Sequence, residues 1–152
     1  MKKKLGRMGM DSPLLLEDAF GSAGDLVEIK SGTKYRCEVR KILKCNLEAW
    51  MKTPGFDEIR SQFLDLAVVA RVNEKRIKRQ DVDNIAKIVL DALKETEGDP
   101  RFLFRDDSQI VRLLVWKIRK TDSPDYETDS IAISFRKHDP DKQMILVRRK
   151  EM

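Results

Sequence analysis

Two pairs of aspartates are the residues whose types and spacing could perform chemistry in this sequence. Asp81 and Asp83 lie two residues apart, where an apolar run gives way to an amphipathic helical pattern, and Asp106 and Asp107 precede the next apolar run. If these two element ends lie side by side, the four carboxylates converge. Like charges in a partly desolvated site raise each other's pKa, so such a cluster needs cations. All-oxygen ligands favour Mg²⁺ or Mn²⁺ over Zn²⁺, and we therefore expect one of these ions.

Lys87 and a basic run are the chain's own cations near the first pair. The run consists of Arg71, Lys75, Arg76, Lys78 and Arg79. A charge run between two elements is usually a solvated loop, but this one could also bring phosphates to acids that would otherwise repel them. Asp81 or Asp83 could equally be an ordinary helix cap, and Lys87 could form a surface salt bridge with Asp83. These residues taken singly leave both interpretations open.

Length and charge limit the class of protein. The chain has 152 residues, of which 41% are hydrophobic, enough for one domain with a core. Its net charge of +5 suits a polyanionic partner without proving one. No apolar run approaches the roughly 18 to 20 residues of a membrane span, and the start Met1-Lys2-Lys3-Lys4 lacks the apolar segment of a signal peptide. We expect a cytoplasmic protein that does not engage a membrane.

The cysteines and the histidine exclude several kinds of site. Cys37 and Cys45 lie eight residues apart in one helical pattern, about 12 Å along the axis, which is too far for a disulfide. His138 is the one histidine, so neither a histidine-based zinc site nor a histidine triad can be assembled. No small-molecule cofactor is indicated.

The hydrophobic pattern predicts a single α/β (α+β) domain: a small mixed sheet with two main helices in the order β-α-β-α-β-β. We expect a flexible basic arm over residues 1–24, the domain over 25–137 and a basic tail over 138–152. The predicted strands are Asp25–Lys30, Leu64–Val72 (buried on both faces), Ile110–Ile118, a strand around residues 130–135 and an edge strand at Met144–Val147. The predicted helices run from Tyr35 to Trp50 and onward from Asp83, and 56–63 is a helical turn or a loop.

The strand around residues 130–135 shows the clearest alternation in the chain. Ile131, Ile133 and Phe135 should face inward and Ser130, Ala132 and Ser134 outward, in an antiparallel strand with one exposed face. The segment Asp122-Ser123-Pro124-Asp125 is the expected hairpin loop between this strand and the preceding one. Asp91 lies about 12 Å beyond Asp83 along the same helix, too far to share a metal with it, so we expect Asp91 either at the surface or in support of the metal's direct ligands.

The order of the acidic motifs resembles the signature of one nuclease family. Asp81-Val82-Asp83-Asn84-Ile85-Ala86-Lys87, then Asp91-Ala92-Leu93, then Asp106-Asp107-Ser108-Gln109-Ile110-Val111, is similar to the RusA family of Holliday-junction resolvases. The resemblance implies a small homodimeric, Mg²⁺-dependent endodeoxyribonuclease, often phage-borne, that nicks four-way DNA junctions symmetrically in recombination and repair. By the matching positions it also implies that Asp81, Asp83 and Asp107 are the essential catalytic acids, with Asp106 as their neighbour and Lys87 as the essential lysine. From the chemistry of the residues themselves we expect metal binding by Asp81, Asp83, Asp106 and Asp107, with support from Asn84 and Gln109.

Phosphodiester hydrolysis fits these residues independently of the resemblance. Carboxylate-bound Mg²⁺ activates water near neutral pH and offsets the charge that grows on the phosphate and the leaving oxygen. Lys87, one turn after Asp83, could contact the scissile phosphate or orient the water. Two alternatives remain at this stage: a nuclease for other branched DNA such as flaps, forks or RNA-containing branches, and a DNA-binding protein without activity whose acids cap helices.

Overall fold

The fold is a mixed sheet with helices on one face and a two-stranded ribbon on the other. The computed structural model describes residues 14–21, 26–29, 34–119 and 129–148, without the side chains of 26–29 and 74–76. The elements in chain order are β1 Leu14–Leu16, β2 Leu26–Ile29, α1 Tyr35–Met51, α2 Phe56–Ile59, β3 Leu64–Val72, α3 Glu74–Arg79, α4 Val82–Leu93, a 3-10 turn Asp107–Gln109, β4 Ile110–Arg119, β5 Asp129–Lys137 and β6 Leu146–Arg148.

The four-stranded sheet has the order β2-β5-β3-β4. β3 pairs parallel with β4 and antiparallel with β5, and β5 pairs antiparallel with β2. The apolar run of β3, interrupted only by Asp65 and Arg71, suits its interior position, since both of its faces are covered. The order β2-α1-β3-α4-β4-β5 is the predicted β-α-β-α-β-β, which confirms the fold class.

The helices α1 and α4 pack on one face of the sheet and form the main core. Each contributes an apolar stripe at helical spacing against the even-numbered side chains of β3. Trp50 of α1 lies edge-on to Phe135 of β5, with ring centroids 5.4 Å apart. The fully buried members from the two helices and β3 are Val39, Leu43, Leu47, Trp50, Ile85, Val89, Ala92, Leu93, Leu64, Leu66, Val68, Ala70 and Val72.

The opposite face of the sheet is covered by an antiparallel ribbon of β1 and β6. Leu15 packs there against Val69 and Ala132, and the backbone N–H of Leu16 donates to Ser134 Oγ at 2.8 Å. The predicted outward orientation of Ala132 and Ser134 toward solvent is therefore wrong, because a second layer buries both residues. Small residues on that face leave room for the ribbon.

Two further local predictions are wrong. The loop at 122–125 does not close a hairpin, because β3 lies between β4 and β5 in the sheet; residues 120–128 themselves lie outside the described chain. The predicted basic loop after β3 is instead largely the short helix α3. Phe56–Ile59 forms a single helical turn, one of the two predicted possibilities. In the described part of the chain, no helix is long and apolar enough to cross a membrane.

Parts of the predicted arm and tail belong to the packed fold through Asp65, which is fully buried in β3. Arg136 Nε donates to Asp65 Oδ2 at 3.1 Å, and His138 Nδ1 lies 2.8 Å from Asp65 Oδ1. The other nitrogens of the Arg136 guanidinium donate to the carbonyls of Glu17 and Gln143. This ionic cluster ties both ends of the described chain to the sheet and gives the lone histidine a structural position.

Candidate active site

The first acidic pair lies at the start of α4, exposed to solvent. Asp81 occupies the N-cap position with an extended backbone, yet its side chain makes no capping hydrogen bond. Asp83 Oδ1 accepts a hydrogen bond from the backbone N–H of Asn84 at 3.0 Å, and Asn84 is itself exposed. Because the Asp81 carboxylate makes no capping bond at a position where one is usual, the helix-cap interpretation does not account for this residue.

Lys87 lies one helical turn beyond Asp83 and is exposed. It forms no ion pair with any described residue, so the (i, i+4) salt bridge with Asp83 is not formed. Asp91, by contrast, lies 3.8 Å from Arg36 Nη1 of α1 at the surface. The ammonium group of Lys87 thus remains available to an external anion near the first pair.

The second acidic pair opens the turn before β4. Asp106 caps this turn: its Oδ2 accepts from the backbone N–H of Ser108 at 3.0 Å, within a capping box completed by Gln109. Hydrogen bonding from the Ser108 side chain and backbone lowers the pKa of Asp106, with a smaller contribution from the charge of Lys94. Asp107 is exposed and its Oδ2 lies 3.5 Å from Lys94 Nζ. The capping role considered for the first pair therefore belongs to Asp106.

The Gln109 side chain holds this turn in place with four hydrogen bonds. Its Oε1 accepts from the backbone N–H groups of Arg105 at 2.7 Å and Asp106 at 3.3 Å. Its Nε2 donates to the carbonyls of Arg60 at 3.0 Å and Gln62 at 2.9 Å, in the segment before β3. Gln109 thus positions the second pair by binding it to the segment that leads into β3.

The two acidic pairs lie at opposite ends of α4. Asp81 precedes the first residue of this twelve-residue helix, whereas Lys94, which contacts Asp107, follows the last. At 1.5 Å per residue the helix separates the two ends by roughly 18 Å. The predicted convergence of the four carboxylates is therefore wrong within one chain. Among the described residues, no group of three or more Asp, Glu, His or Cys side chains could hold a metal ion.

The reason for this separation is the parallel pairing of β3 and β4. Because β4 runs parallel to β3, the chain must return from the carboxyl end of β3 to the opposite end of the sheet before β4 begins. The helix α4 makes this return. Asp81 and Asp83 thus follow the carboxyl end of β3, while Asp106 and Asp107 precede the amino end of β4. The spacing of the two acidic pairs in the sequence therefore does not predict the distance between them in the fold.

Lys117 and Lys94 are positioning residues that the sequence interpretation missed. Lys117 Nζ, near the carboxyl end of β4, donates to the carbonyls of Ile77 and Gln80, both at 2.7 Å. These contacts satisfy carbonyls at the end of α3 and fix the backbone immediately before Asp81. No local sequence pattern predicts this role for Lys117, because it is a basic residue near the end of a strand. Lys94 could have been predicted, since it follows the last turn of a predicted helix, where cations are favoured.

The basic residues predicted to contact DNA lie at the same end as Asp81. Arg71 is half-buried at the end of β3, and Lys78 and Arg79 are exposed on α3. The backbone of Lys75 and Arg76 belongs to α3, while their side chains lie outside the described part of the structure. The structure therefore groups positive charge beside the first pair, as the run in the sequence indicates.

The donor set suits a hard divalent cation. Each pair offers two carboxylates in an exposed position, and the Asp81 side chain makes no hydrogen bond or ion pair with another described residue. Mg²⁺ is commonly held by one or two carboxylates, its other ligands being water and phosphate oxygens. Either pair could contribute to such a site, and the oxygen-only chemistry disfavours zinc.

Comparison with known families identifies the family of this chain. A sequence model described as Endodeoxyribonuclease RusA matches residues 20–128, well over half of the chain. The matched segment contains both acidic pairs, the helix between them, Lys87 and Gln109. A search of curated proteins gave no match. Since the family model covers β2, β3 and β4, both main helices and the whole candidate site, the chain belongs to the RusA family of endodeoxyribonucleases.

Proposed function

We propose that this protein is a Mg²⁺-dependent endodeoxyribonuclease that resolves four-way DNA junctions by paired symmetric nicks, in recombination and repair. The family supplies the class of reaction. The observation that carries the proposal is the exposure of the acidic side chains: Asp81, Asp83 and Asp107 are exposed at the positions of the family motif. Of the two pairs, only Asp106 is occupied as a cap.

The aspartates and Lys87 would have different roles in the reaction. Asp81 and Asp83 would hold Mg²⁺, or Mn²⁺ in its place, together with Asp106 and Asp107. When bound, the ion supplies an activated water and neutralises charge on the phosphate. Lys87, one turn from Asp83 and unpaired among the described residues, would contact the scissile phosphate.

The basic residues beside the first pair would bind the DNA backbone. Lys78 and Arg79 project from α3, whose end is fixed by Lys117 directly before Asp81. Contacts of this kind supply affinity and register without reading the base sequence, so they suit a substrate recognised by its branched shape.

A homodimer would reunite the separated acids. Within one chain the two pairs lie at opposite ends of α4, so neither site has the full set of carboxylates. Two copies related by a two-fold axis can place the first pair of one chain beside the second pair of its partner, and the reverse on the other side. Two equivalent sites related by a two-fold axis are also what paired symmetric nicks require.

The test is cleavage of an end-labelled synthetic four-way junction with and without Mg²⁺. Asp83→Asn and Asp107→Asn should each reduce nicking by orders of magnitude and leave junction binding intact or tighter, since each removes a ligand and a negative charge. Asp91→Asn is the matched control, because it changes an exposed aspartate on the same helix whose contact is with Arg36. If Asp83→Asn and Asp107→Asn nick as fast as Asp91→Asn, the proposal is wrong. Flap and fork substrates in the same assay separate junction resolution from activity on other branched DNA.

A further inference from the structure

Phe63 is the one phenylalanine of the chain whose ring lies in solvent. All six phenylalanines belong to the described part of the chain, and the other five are buried or half-buried. Phe63 is 61% exposed, more than any other large apolar side chain described, and its ring makes no stacking or cation–π contact with a described residue. Single exposed apolar side chains are common, so a role for Phe63 depends on what surrounds it.

The backbone around Phe63 is fixed on both sides. The carbonyl of Phe63 accepts from the backbone N–H of His138 at 2.8 Å, and His138 Nδ1 lies 2.8 Å from the buried carboxylate of Asp65. The carbonyl of Gln62 accepts from Gln109 Nε2 at 2.9 Å. The ring therefore projects from a rigid base, and little backbone freedom is lost when it binds a ligand.

Phe63 lies beside the second acidic pair. Leu64, the next residue, pairs with Ile110 of β4, and Asp107 precedes Ile110 by three residues. Neighbouring strands lie about 4.8 Å apart and successive Cα atoms about 3.8 Å apart, so the Cα atoms of Phe63 and Asp107 are on the order of 10 Å apart. One strand of DNA carries a phosphate every 3.4 Å or so along the helix axis, so DNA bound at Asp107 reaches Phe63 within about three nucleotides.

The surroundings of Phe63 suit nucleic acid better than a protein partner. Lys137 of β5 pairs with Leu64 in the sheet, is exposed and forms no ion pair with a described residue. An aromatic face beside a lysine binds nucleic acid because the ring stacks on a base while the cation meets a phosphate. The residues directly before Phe63 are polar (Arg60, Ser61 and Gln62), so the ring is not part of the larger apolar patch that marks a protein interface.

A free base face is what distinguishes a branch point from continuous duplex. Inside a duplex each base is stacked on both sides, so an aromatic side chain finds no open face. Where strands part at a four-way branch, a base can present one. Stacking on it is independent of sequence because every base has a π face. Phosphate contacts, by contrast, fix register on any duplex arm and do not identify the branch.

We propose that Phe63 stacks on a base exposed at the branch point, and thereby selects junctions over duplex and positions the bound strand at the second acidic pair. Lys137 binds a phosphate of the same strand. The inference rests on the proposed function and deepens it, because it identifies a residue that recognises the branched substrate. Phe63 is a positioning residue, since it does not touch the reacting phosphate.

The test compares the affinity of Phe63 variants for a four-way junction and for duplex DNA of the same arm sequence, measured by fluorescence anisotropy in EDTA so that no strand is cut. We expect Phe63→Ala to bind the junction roughly five- to hundredfold more weakly, the range implied by loss of one base–aromatic contact, and to bind duplex as the wild type does. Phe63→Trp should keep the preference for the junction. Phe63→Leu, which is apolar but has no π face, should lose it.

Val147→Ala is the matched control, because it also truncates an exposed apolar side chain, on β6. Melting curves verify that each variant is folded, and if Phe63→Ala unfolds, Phe63→Leu replaces it. A 2-aminopurine base locates the contact. At the branch point its fluorescence should change when the wild type binds and not when Phe63→Ala binds, whereas well inside an arm the two proteins should give the same signal.

The inference is overturned if Phe63→Ala binds the junction as tightly as Val147→Ala, if Phe63→Leu binds it as tightly as Phe63→Trp, or if Phe63→Ala binds junction and duplex with equally reduced affinity. Nicking in Mg²⁺, measured separately, distinguishes this failure from failure of the proposed function. A wild type that prefers junctions through Phe63 yet cuts no branched DNA supports the stacking contact and refutes the function. A protein that nicks junctions while its Phe63 variants bind them as the wild type does supports the function and refutes the contact.

Discussion

Replacing Gln109 with alanine should destabilise the protein and misplace the second acidic pair. The side chain makes four hydrogen bonds, two to backbone N–H groups at an exposed turn and two to the partly buried carbonyls of Arg60 and Gln62. Each hydrogen bond contributes a net of about 0.5 to 1.5 kcal/mol to the free energy of unfolding. The low end of this range applies here, because water can replace the exposed bonds. We expect Gln109→Ala to lose about 2 kcal/mol, at the low end of that range.

The assay is urea or thermal unfolding together with junction nicking. For a chain of this length, 1 kcal/mol corresponds to roughly 2 to 4 °C, so Tm should fall by about 4 to 8 °C. Gln109→Glu is informative because it keeps the acceptor for Arg105 and Asp106 but sets a carboxylate against two carbonyls; it should be at least as destabilising as the alanine variant. Gln143→Ala is the control, because Gln143 is exposed and its side chain makes no hydrogen bond to a described residue. A Gln109→Ala protein as stable and as active as Gln143→Ala would refute the reasoning.

Three further predictions concern stability and DNA binding. Asp65→Asn should cost about 3 to 5 kcal/mol in chemical denaturation, because it breaks a buried ion pair and leaves the Arg136 charge uncompensated; a loss below 1 kcal/mol would be inconsistent with this. Hydrogen bonds from the Arg101 side chain and backbone lower the pKa of Asp99 to about 2, so this residue contributes stability above its unfolded pKa that is lost as pH falls from about 4 through 2. Asp99→Asn should therefore flatten the stability profile in that window, and an unchanged profile would contradict the assignment. Arg79→Ala should weaken junction binding and reduce the slope of log K against log salt by up to about 0.9, measured by titration at several salt concentrations; an unchanged slope would place the DNA path elsewhere.

The sequence predicts β3 well because its signal is local. The run Leu64–Val72 is apolar except for Asp65 and Arg71, and a strand needs a largely apolar run when both of its faces are covered. The start of α4 follows likewise from the change of period at Asp81. In each case the residues that define the element also determine its burial, so the element can be predicted without knowledge of distant contacts.

The alternation in β5 predicts which residues lie on each face of the sheet, but it does not show whether solvent or a second layer covers that face. Ala132 and Ser134 are small, which is compatible with solvent but also with a second layer packed closely on them. The strands β1 and β6 that form this layer lie at opposite ends of the chain, and neither shows a strong period of its own. Arg136 pairs with Asp65 across β5 and β3 and also donates to the carbonyls of Glu17 and Gln143, next to β1 and β6, and no local pattern reveals these contacts.

The composition of the candidate site is predictable from the motif, but its geometry is not. The acids of both pairs and Lys87 are identified by type and spacing, because metal-assisted hydrolysis needs oxygen ligands and a nearby cation. Their distance apart depends on whether β4 returns parallel or antiparallel to β3, which the sequence between Asp83 and Asp106 does not determine. Because of this separation, the proposed complete site draws its second acidic pair from another copy of the chain.

The most direct test of a site shared between two chains is to mix two inactive variants. Asp83→Asn and Asp107→Asn are combined under conditions that exchange subunits, heterodimers are verified by native mass spectrometry, and nicking of a four-way junction is measured. One site of each heterodimer then draws both intact residues, one from each chain, so random mixing should restore about a quarter of the wild-type sites. Mixing Asp81→Asn with Asp83→Asn, which lie in the same pair, should restore none. A mixture of Asp83→Asn and Asp107→Asn that forms heterodimers yet stays as inactive as either variant alone would contradict the shared site.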